Sequence, residues 1–386
     1  MRLLSVELIT LRMPLVAPFQ TSFGTQHERT PMLVRVRAET PGPSGAPVEV
    51  VGWGECVALV DPVYSAEYLD GARAVLTRFL IPLLFAHQEA GGTVTAETVG
   101  EVLRPIVGHR MAKSAIEMAI LDAQLRGRGE SLSAYLGATV DRVPAGVSVG
   151  IMPSVGQLLE TVDGYLAEGY RRIKLKIQPG WDIVPVAAVR ERFGDELLLQ
   201  VDANAAYTLR DAVHLSRLDA FGLLLIEQPL GEEDLRQHSK LAGLMSTPMC
   251  LDESIVSAEA AADAVALGAA AVINIKPGRV GGYLEARRIH DLARSFGIAV
   301  WCGGMLETGI GRAANAALAG LPGFTLPGDI SASSRFFRED VTEPFVLEDG
   351  HIRIPTGAGI GVEPDADRLA AMTTDTVDAT PTILGR

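Results

Sequence analysis

Six charged residues stand at the ends of short apolar segments, in the order two lysines, three carboxylates and one lysine. They are Lys174, Lys176, Asp202, Glu227, Asp252 and Lys276. If these segments lie side by side, three buried anions repel one another strongly unless a cation neutralises them. Carboxylate oxygens without nearby histidine favour Mg²⁺ over zinc, with Mn²⁺ or another divalent ion as an alternative. We therefore predict Asp202, Glu227 and Asp252 as metal ligands.

The lysines have the chemistry of proton carriers. A carbon acid next to a carboxylate loses its proton only if the resulting enediolate is stabilised, and a divalent ion lowers that barrier. The base needs a pKa that is lowered toward neutrality. Lys174 lies two residues from Lys176 on the same strand face, so its charge would disfavour the charged form of Lys176. Lys276 would address the opposite face of the same carbon.

Each of these residues also has a simpler explanation when it is taken alone. An aspartate can cap the helix after its strand, a glutamate can pair with a lysine, and a lysine can reach out from a surface. An inward lysine could also form a Schiff base with a carbonyl substrate. A non-catalytic binding barrel is a further alternative, but it gives no reason for opposed lysines around an acidic triad.

The elements that position these residues follow a repeat. Eight apolar segments between residues 145 and 329 recur about every 25 residues, roughly the length of one strand-loop-helix-loop unit. Strands rich in Leu, Ile and Val that alternate with helices indicate a covered parallel sheet. Eight of them favour a closed (β/α) barrel over a doubly wound sheet, and a barrel brings the C-terminal strand ends to one site.

The chain divides into three parts by this pattern. Residues 1–125 show strands first and helices next, which predicts an α+β capping domain. Residues 143–330 carry the barrel repeat, and residues 331–386 show strands and turns that return to the capping domain. We expect the last stretch, TTDTVDATPTILGR, to be loosely held.

Composition disfavours several classes of protein. Hydrophobic residues make up 48% of the 386 residues and charged residues 21%, as in globular proteins. The net charge of -13 disfavours nucleic acid or anionic membranes as partners. No segment is typical of a membrane span, and Glu7 and Arg12 make the start a poor signal peptide. Cys56, Cys250 and Cys302 have no metal-site or redox spacing, so we expect a reduced, cytoplasmic protein.

Several motifs resemble those of a known family. The set KLK, VDAN, IEQPL, LDES, NIKPGRVGG and GGMLETGIGRAAN resembles the enolase superfamily, in its muconate-lactonizing subgroup. Within that subgroup it is similar to the o-succinylbenzoate synthase / N-succinylamino acid racemase (N-acylamino acid racemase) family. The resemblance covers nearly the whole chain and implies a modified TIM barrel. It also implies two mobile capping loops, near residues 18–26 and 55–68.

The resemblance assigns roles to further residues. It implies that Lys176 and Lys276 are the acid/base pair, in agreement with the chemistry above. Asn204 and Glu253 fall on positions behind the metal ligands, and Arg279 matches the subgroup that racemizes N-succinylamino acids. Two more residues of the family motif lie near the substrate, Met305 and Glu307, although Met305 could instead fill the barrel interior.

The implied reaction is Mg²⁺-dependent removal of a proton alpha to a carboxylate. The enzyme would act as an N-succinylamino acid racemase, as an o-succinylbenzoate synthase in menaquinone synthesis, or as both. The implied partner is a small carboxylate with a succinyl arm, and we expect a homo-oligomer. Muconate-type cycloisomerase and dipeptide epimerase stay open as alternatives. An epimerase is expected to carry DxD at the eighth strand, where Asp329 stands alone.

Overall fold

The computed structural model describes residues 1–42 and 45–382. Its strands are β1 (Arg2–Leu11), β2 (Met13–Thr21), β3 (Gly24–Arg29), β4 (Met32–Pro41), β5 (Pro47–Cys56), β6 (Arg142–Pro144), β7 (Gly146–Val149), β8 (Arg172–Lys176), β9 (Leu198–Asp202), β10 (Ile226–Glu227), β11 (Met249–Leu251), β12 (Val272–Ile275), β13 (Ala299–Cys302), β14 (His351–Arg353) and β15 (Thr373–Asp378). 

The α-helices alternate with the barrel strands and also cover the N-terminal sheet. They are α1 (Leu69–Val75), α2 (Ile81–Glu89), α3 (Ala96–Leu103), α4 (Arg110–Arg128), α5 (Leu132–Leu136), α6 (Val155–Glu168), α7 (Ile183–Phe193), α8 (Ala212–Leu215), α9 (Leu235–Ala242), α10 (Ala258–Ala266), α11 (Pro277–Val280), α12 (Tyr283–Ser295), α13 (Gly309–Ala319) and α14 (Ala366–Met372). A π-helical turn (Leu76–Leu80) joins α1 to α2, and short 3-10 turns lie at Leu209–Asp211, Ser216–Phe221 and Ser333–Arg335. Within the described ranges, no helix has both the length and the apolar character needed to cross a membrane.

The capping part is an antiparallel sheet packed against α4. Its strand order is β15-β1-β4-β5, while β2 and β3 form a separate hairpin. In the middle of β1, Val6 and Leu8 are buried and Glu7 between them is partly exposed, as in a sheet with one covered face, whereas the end of the strand, Leu8–Leu11, is buried throughout. Glycine is required where β5 meets α4, because a Cβ at Gly54 would overlap the carbonyl oxygen of Ala115.

The barrel is a curled parallel sheet of seven strands in the order β13-β12-β11-β10-β9-β8-β7. The predicted fold class is confirmed, but the eighth predicted strand differs. Segment 324–329 makes only isolated bridges, Val300 with Phe324 on one edge and Ala145 with Gly328 on the other. Pro327 has no N–H to donate, which limits a regular ladder here. The segment therefore joins both edges of the sheet without forming a strand of its own.

The C-terminal residues return to the N-terminal part. β14 pairs with β6, and β15 pairs with β1 in antiparallel register, with Glu7 opposite Asp378. The expectation of a loosely held end is therefore wrong for Thr373–Asp378, because these residues supply the outer partner that an edge strand such as β1 would otherwise lack. The part of that expectation that concerns residues 383–386 lies outside the described residues.

Candidate active site

The C-terminal ends of the barrel strands and two capping segments enclose a pocket. The hairpin β2–β3 contributes Phe19 and Phe23, and the segment after β5 contributes Tyr64. Six of the residues predicted from the sequence line it: Lys174, Lys176, Asn204, Lys276, Met305 and Glu307. The other five lie behind this lining or beside it: Asp202, Glu227, Asp252, Glu253 and Arg279.

The three predicted carboxylate ligands occupy adjacent strands. Asp202 ends β9 and lies opposite Glu227, which ends β10. Asp252 directly follows β11, the next strand of the sheet. All three are withdrawn from solvent, with exposures of 1%, 0% and 0%. The sheet therefore aligns three desolvated anions along one side of the barrel.

Lys176 lies at the end of β8, beside the first of these anions. Its Nζ donates to Asp202 Oδ2 at 2.6 Å and to Asn204 Oδ1 at 2.7 Å. The pKa of Lys176 is lowered, chiefly by burial: burial and the charges of Lys174 and Lys276 together outweigh the attraction of Asp202 and Glu227. This environment therefore shifts Lys176 toward the neutral amine that a base requires.

Lys174 has the opposite setting on the same strand. Its Nζ lies 2.5 Å from Asp329 Oδ2, 3.2 Å from Glu227 Oε2 and 3.3 Å from Asp202 Oδ2. Burial alone would lower the pKa of Lys174, but these three carboxylates outweigh burial and raise it. Lys174 is therefore held as a cation next to Lys176.

Lys276 follows β12, on the other side of the pocket. Its Nζ donates to Asp252 Oδ2 at 2.7 Å and to the hydroxyl of Tyr64 at 3.0 Å. Burial opposes the charged form, yet the electrostatic interaction with Tyr64, the carboxylates of Glu253 and Glu227 and the hydrogen bond to Tyr64 raise the pKa of Lys276. The two pocket lysines thus differ: their surroundings lower the pKa of Lys176 and raise that of Lys276.

Three residues that the family resemblance assigned lie around the carboxylates. The Asn204 backbone N–H donates to Asp202 Oδ1 at 3.0 Å, and its Nδ2 donates to Glu253 Oε1 at 2.9 Å. The Arg279 guanidinium contacts Asp252 Oδ1 and donates to two backbone carbonyls. These contacts hold the orientation of Asp202 and Asp252.

Met305 and Glu307 lie in the turn after β13. The Met305 sulfur is 3.7 Å from Lys276 Nζ, so this side chain faces the pocket and not the barrel interior. Glu307 Oε1 accepts hydrogen bonds from the Met305 N–H at 2.9 Å and from Asn315 Nδ2 at 3.0 Å. Glu307 therefore supports the turn that presents Met305.

Sequence reasoning missed three residues that contact the charged groups. Tyr64 bonds Lys276, Asp329 bonds Lys174, and Asn274 Nδ2 donates to Glu227 Oε1 at 2.6 Å. Asn274 could have been found, because it is an inward polar residue two positions before Lys276, which directly follows the same strand. Tyr64 lies in an irregular segment without periodicity, and no sequence signal identifies its partner.

The donor set can be tested against the requirements of a divalent ion. Within residues 1–42 and 45–382, no three acidic, histidine or cysteine side chains form a ready-made metal cluster, and Asp202 and Asp252 turn oxygens toward lysines. The chemistry of the set nevertheless fits a hard cation. Burial, and then the charge of Asp202, raise the pKa of Glu227, and buried Glu253 Oε2 lacks a hydrogen-bond partner in the described structure. A divalent ion held by Asp202, Glu227 and Asp252 would offset the repulsion between Glu227 and Asp202.

Comparison with known proteins supports the family resemblance. A family model for the enolase C-terminal domain-like fold matches residues 157–368, and one for the mandelate racemase / muconate lactonizing enzyme N-terminal domain matches residues 5–137. An N-succinylamino acid racemase from an Amycolatopsis species is 61% identical, covering 97% of this chain and 98% of its own. An o-succinylbenzoate synthase from Geobacillus kaustophilus is 44% identical, covering 96% of each.

Solved structures agree with the fold. An enolase-superfamily member from Listeria innocua superposes with a TM-score of 0.90 at 39% identity, covering 98% of this chain and 99% of its own. Muconate lactonizing enzyme from Pseudomonas fluorescens superposes with a TM-score of 0.87 at 28% identity, covering 96% and 99%. The family resemblance found in the sequence is confirmed: the chain belongs to the enolase superfamily, in the family of mandelate racemase and muconate lactonizing enzyme.

Proposed function

We propose that this chain removes a proton alpha to a carboxylate, acting as an N-succinylamino acid racemase, as an o-succinylbenzoate synthase, or as both. One observation carries the proposal: Lys176 and Lys276 face one pocket from strands that three others separate, and their surroundings shift their pKa values in opposite directions. Relatives named for these two activities are 40–61% identical over nearly the whole chain, which supports the substrate class.

The residues that would hold Mg²⁺, or Mn²⁺ in its place, are Asp202, Glu227 and Asp252. When bound, the ion supplies electrophilic stabilisation of the charge that develops on the substrate carboxylate. Asn204 and Glu253 support these ligands from behind, and Arg279 contacts Asp252. 

In racemization, the protein groups exchange two protons across one carbon. The neutral amine of Lys176 takes the alpha-proton and becomes an ammonium. The ammonium of Lys276 gives a proton to the opposite face and becomes an amine, which inverts the centre. Lys174 stays charged and keeps its neighbour a usable base. The other enantiomer reacts with the two roles exchanged.

In o-succinylbenzoate formation, the same residues act from one side. Lys176 removes the alpha-proton and then returns it to the departing hydroxide, so that water leaves. Lys276 stays an ammonium and stabilises the negative charge of the enediolate. A shared succinyl arm lets one pocket accept both substrates.

Two alternatives are weaker. A chloromuconate cycloisomerase relative is 28% identical, well below the racemase and synthase relatives. A dipeptide epimerase must bind a substrate ammonium, yet Asp329 is already paired with Lys174 and Arg172.

The division of labour between the lysines has a direct test in D₂O. Each enantiomer of an N-succinylamino acid should exchange its alpha-proton with solvent. Lys276→Arg should abolish exchange from one enantiomer and spare the other, whereas exposed Lys240→Arg should leave both unchanged. Equal loss from both enantiomers in Lys276→Arg would refute the assignment. Comparing kcat/KM for the o-succinylbenzoate precursor with that for N-succinylamino acids then separates the two activities.

The metal assignment and the compartment are proposals with separate support. Asp202→Ala should abolish Mg²⁺ binding measured by calorimetry, and unchanged binding would exclude Asp202 as a ligand.

The three cysteines are free and buried, which supports a reducing, cytoplasmic setting.

A further inference from the structure

Arg335 lies next to the pocket wall, and three aromatic rings surround its guanidinium. Its Cζ is 4.6 Å from the ring centroid of Phe336, 5.0 Å from that of Tyr165 and 5.7 Å from that of Phe19. All three distances are within reach of a cation–π interaction. The Arg335 Nε is buried and has no hydrogen-bond partner in the described part of the chain. The rings therefore provide much of what holds this cation.

The three rings come from different parts of the fold. Phe19 belongs to the capping hairpin β2–β3, Tyr165 to α6, and Phe336 to the turn after Ser333–Arg335. Phe19 and Phe336 also meet edge to face, with centroids 5.9 Å apart and planes at 87°. Arg335 Nη2 donates to the carbonyl of Ser148 in β7 at 2.8 Å. One guanidinium thus joins the hairpin to the barrel.

This contact lies directly behind the substrate pocket. Phe19 and Phe336 line the pocket, and both rings are buried. The backbone N–H of Val16 donates to the Phe336 carbonyl at 2.9 Å, which ties the same two segments together. Any change in the position of these rings therefore changes the shape of one apolar wall.

We propose that Arg335 is a positioning residue for substrate selection, which fixes Phe19 and Phe336 and so sets the room for the apolar side chain of the substrate. The inference rests on the proposed function for its substrate class. Arg335 is absent from the hydrogen bonds of the reacting lysines, so its effect is on the wall and not on proton transfer. A planar guanidinium suits this place because it can stack on several rings, which a compact ammonium cannot do as well.

The first measurement needs no substrate. Arg335→Met keeps a long apolar stem but removes the charge, so amide hydrogen exchange should rise in the hairpin Met13–Arg29, by about threefold or more. Arg78→Met is the matched control, because Arg78 stacks on a single ring, Phe79, at 5.5 Å, outside the pocket. Unchanged exchange in the hairpin of Arg335→Met would overturn the proposal.

The second measurement is a kinetic panel of N-succinylamino acids with small and large apolar side chains. Arg335→Met should raise KM for N-succinylphenylalanine by about tenfold and for N-succinylalanine by less than about threefold, with kcat changed little. Arg335→Lys should restore part of the loss. An equal change for both substrates, or a loss confined to kcat, would refute a role in selection. If the wild type racemizes none of these compounds, the racemase part of the proposed function fails, while the exchange measurement still decides whether Arg335 holds the hairpin.

Discussion

The pairing of Asp329 with two cations makes a quantitative prediction. Asp329 Oδ2 lies 2.5 Å from Lys174 Nζ, and its Oδ1 accepts from Arg172 Nη2 at 2.8 Å. Both cationic side chains are almost fully buried, with exposures of 3% and 0%. The substitution Asp329→Asn keeps the shape of the side chain and removes its charge, so it leaves both cations without their shared counter-ion.

The expected cost follows from this burial. Removing one partner of a buried ion pair costs about 3–5 kcal/mol of unfolding free energy, and the remaining amide oxygen places the expected loss near 3 kcal/mol. Lys174 and Arg172 hold the pKa of Asp329 below its ordinary value although burial raises it. The carboxylate therefore stabilises the fold at neutral pH, and the difference between wild type and Asp329→Asn should shrink as the pH falls below about 4.

Activity should fall with stability, because Lys174 loses its nearest anchor. A displacement of about 1 Å in a positioned group costs on the order of 10²-fold in rate, so we expect kcat to fall by roughly that factor. Urea unfolding followed by circular dichroism and steady-state kinetics measure the two effects. Asp195→Asn is the control, because that carboxylate is 96% exposed. If Asp329→Asn matches Asp195→Asn in both measurements, the pairing is not what stabilises Lys174.

Two more predictions concern the capping part. Gly54→Ala would press a Cβ against Ala115 and should lower the free energy of unfolding, measured in urea, by about 1–3 kcal/mol. The control Gly100→Ala has open space around its Cβ in α3 and should raise that free energy by about 0.5–1 kcal/mol. Equal changes in the two variants would contradict the close packing at Gly54. Glu117 caps the start of α12, and burial raises its pKa from 4.5 to about 7. The folded state keeps the Glu117 carboxyl protonated in a pH range where the unfolded chain releases the proton, so the free energy of unfolding should fall as the pH rises from 4.5 to 7. Glu117→Gln should reduce the slope of that fall by up to about 1.4 kcal/mol per pH unit. Parallel pH profiles for the two proteins would refute the role of Glu117.

The barrel and the charged residues at its strand ends could be predicted from the sequence, because consecutive parallel strands of the chain are also neighbours in the sheet. Asp202 and Glu227 are opposite each other in the sheet for that reason, with Lys176 opposite Asp202 on the other side. The pattern of charged strand ends is therefore a local signal for a spatial arrangement. Even the irregular eighth segment has such a signal in Pro327.

Other contacts have no such local signal. The hydrogen bond between Lys276 and Tyr64 spans 212 residues and joins a barrel strand to an irregular capping segment. The same is true of Asp329, whose partners are identified only when the ends of the sheet meet. β15 was not predicted for a related reason. Its side chains are largely exposed, and its partner strand, β1, lies at the other end of the sequence.

We expect the junction of the barrel at segment 324–329 to form late in folding. Ala145 and Gly328 are far apart along the chain, and the hydrogen bond from Arg172 to Asp329 at the same junction spans 157 residues. Contacts of such long range pay a large loop-closure entropy and slow the folding of the chains that depend on them. Before this junction closes, paired strands would carry the lysines but lack the Asp329 carboxylate that keeps Lys174 charged. Catalytic activity should therefore appear when the barrel closes at segment 324–329, and not when the strands and helices form.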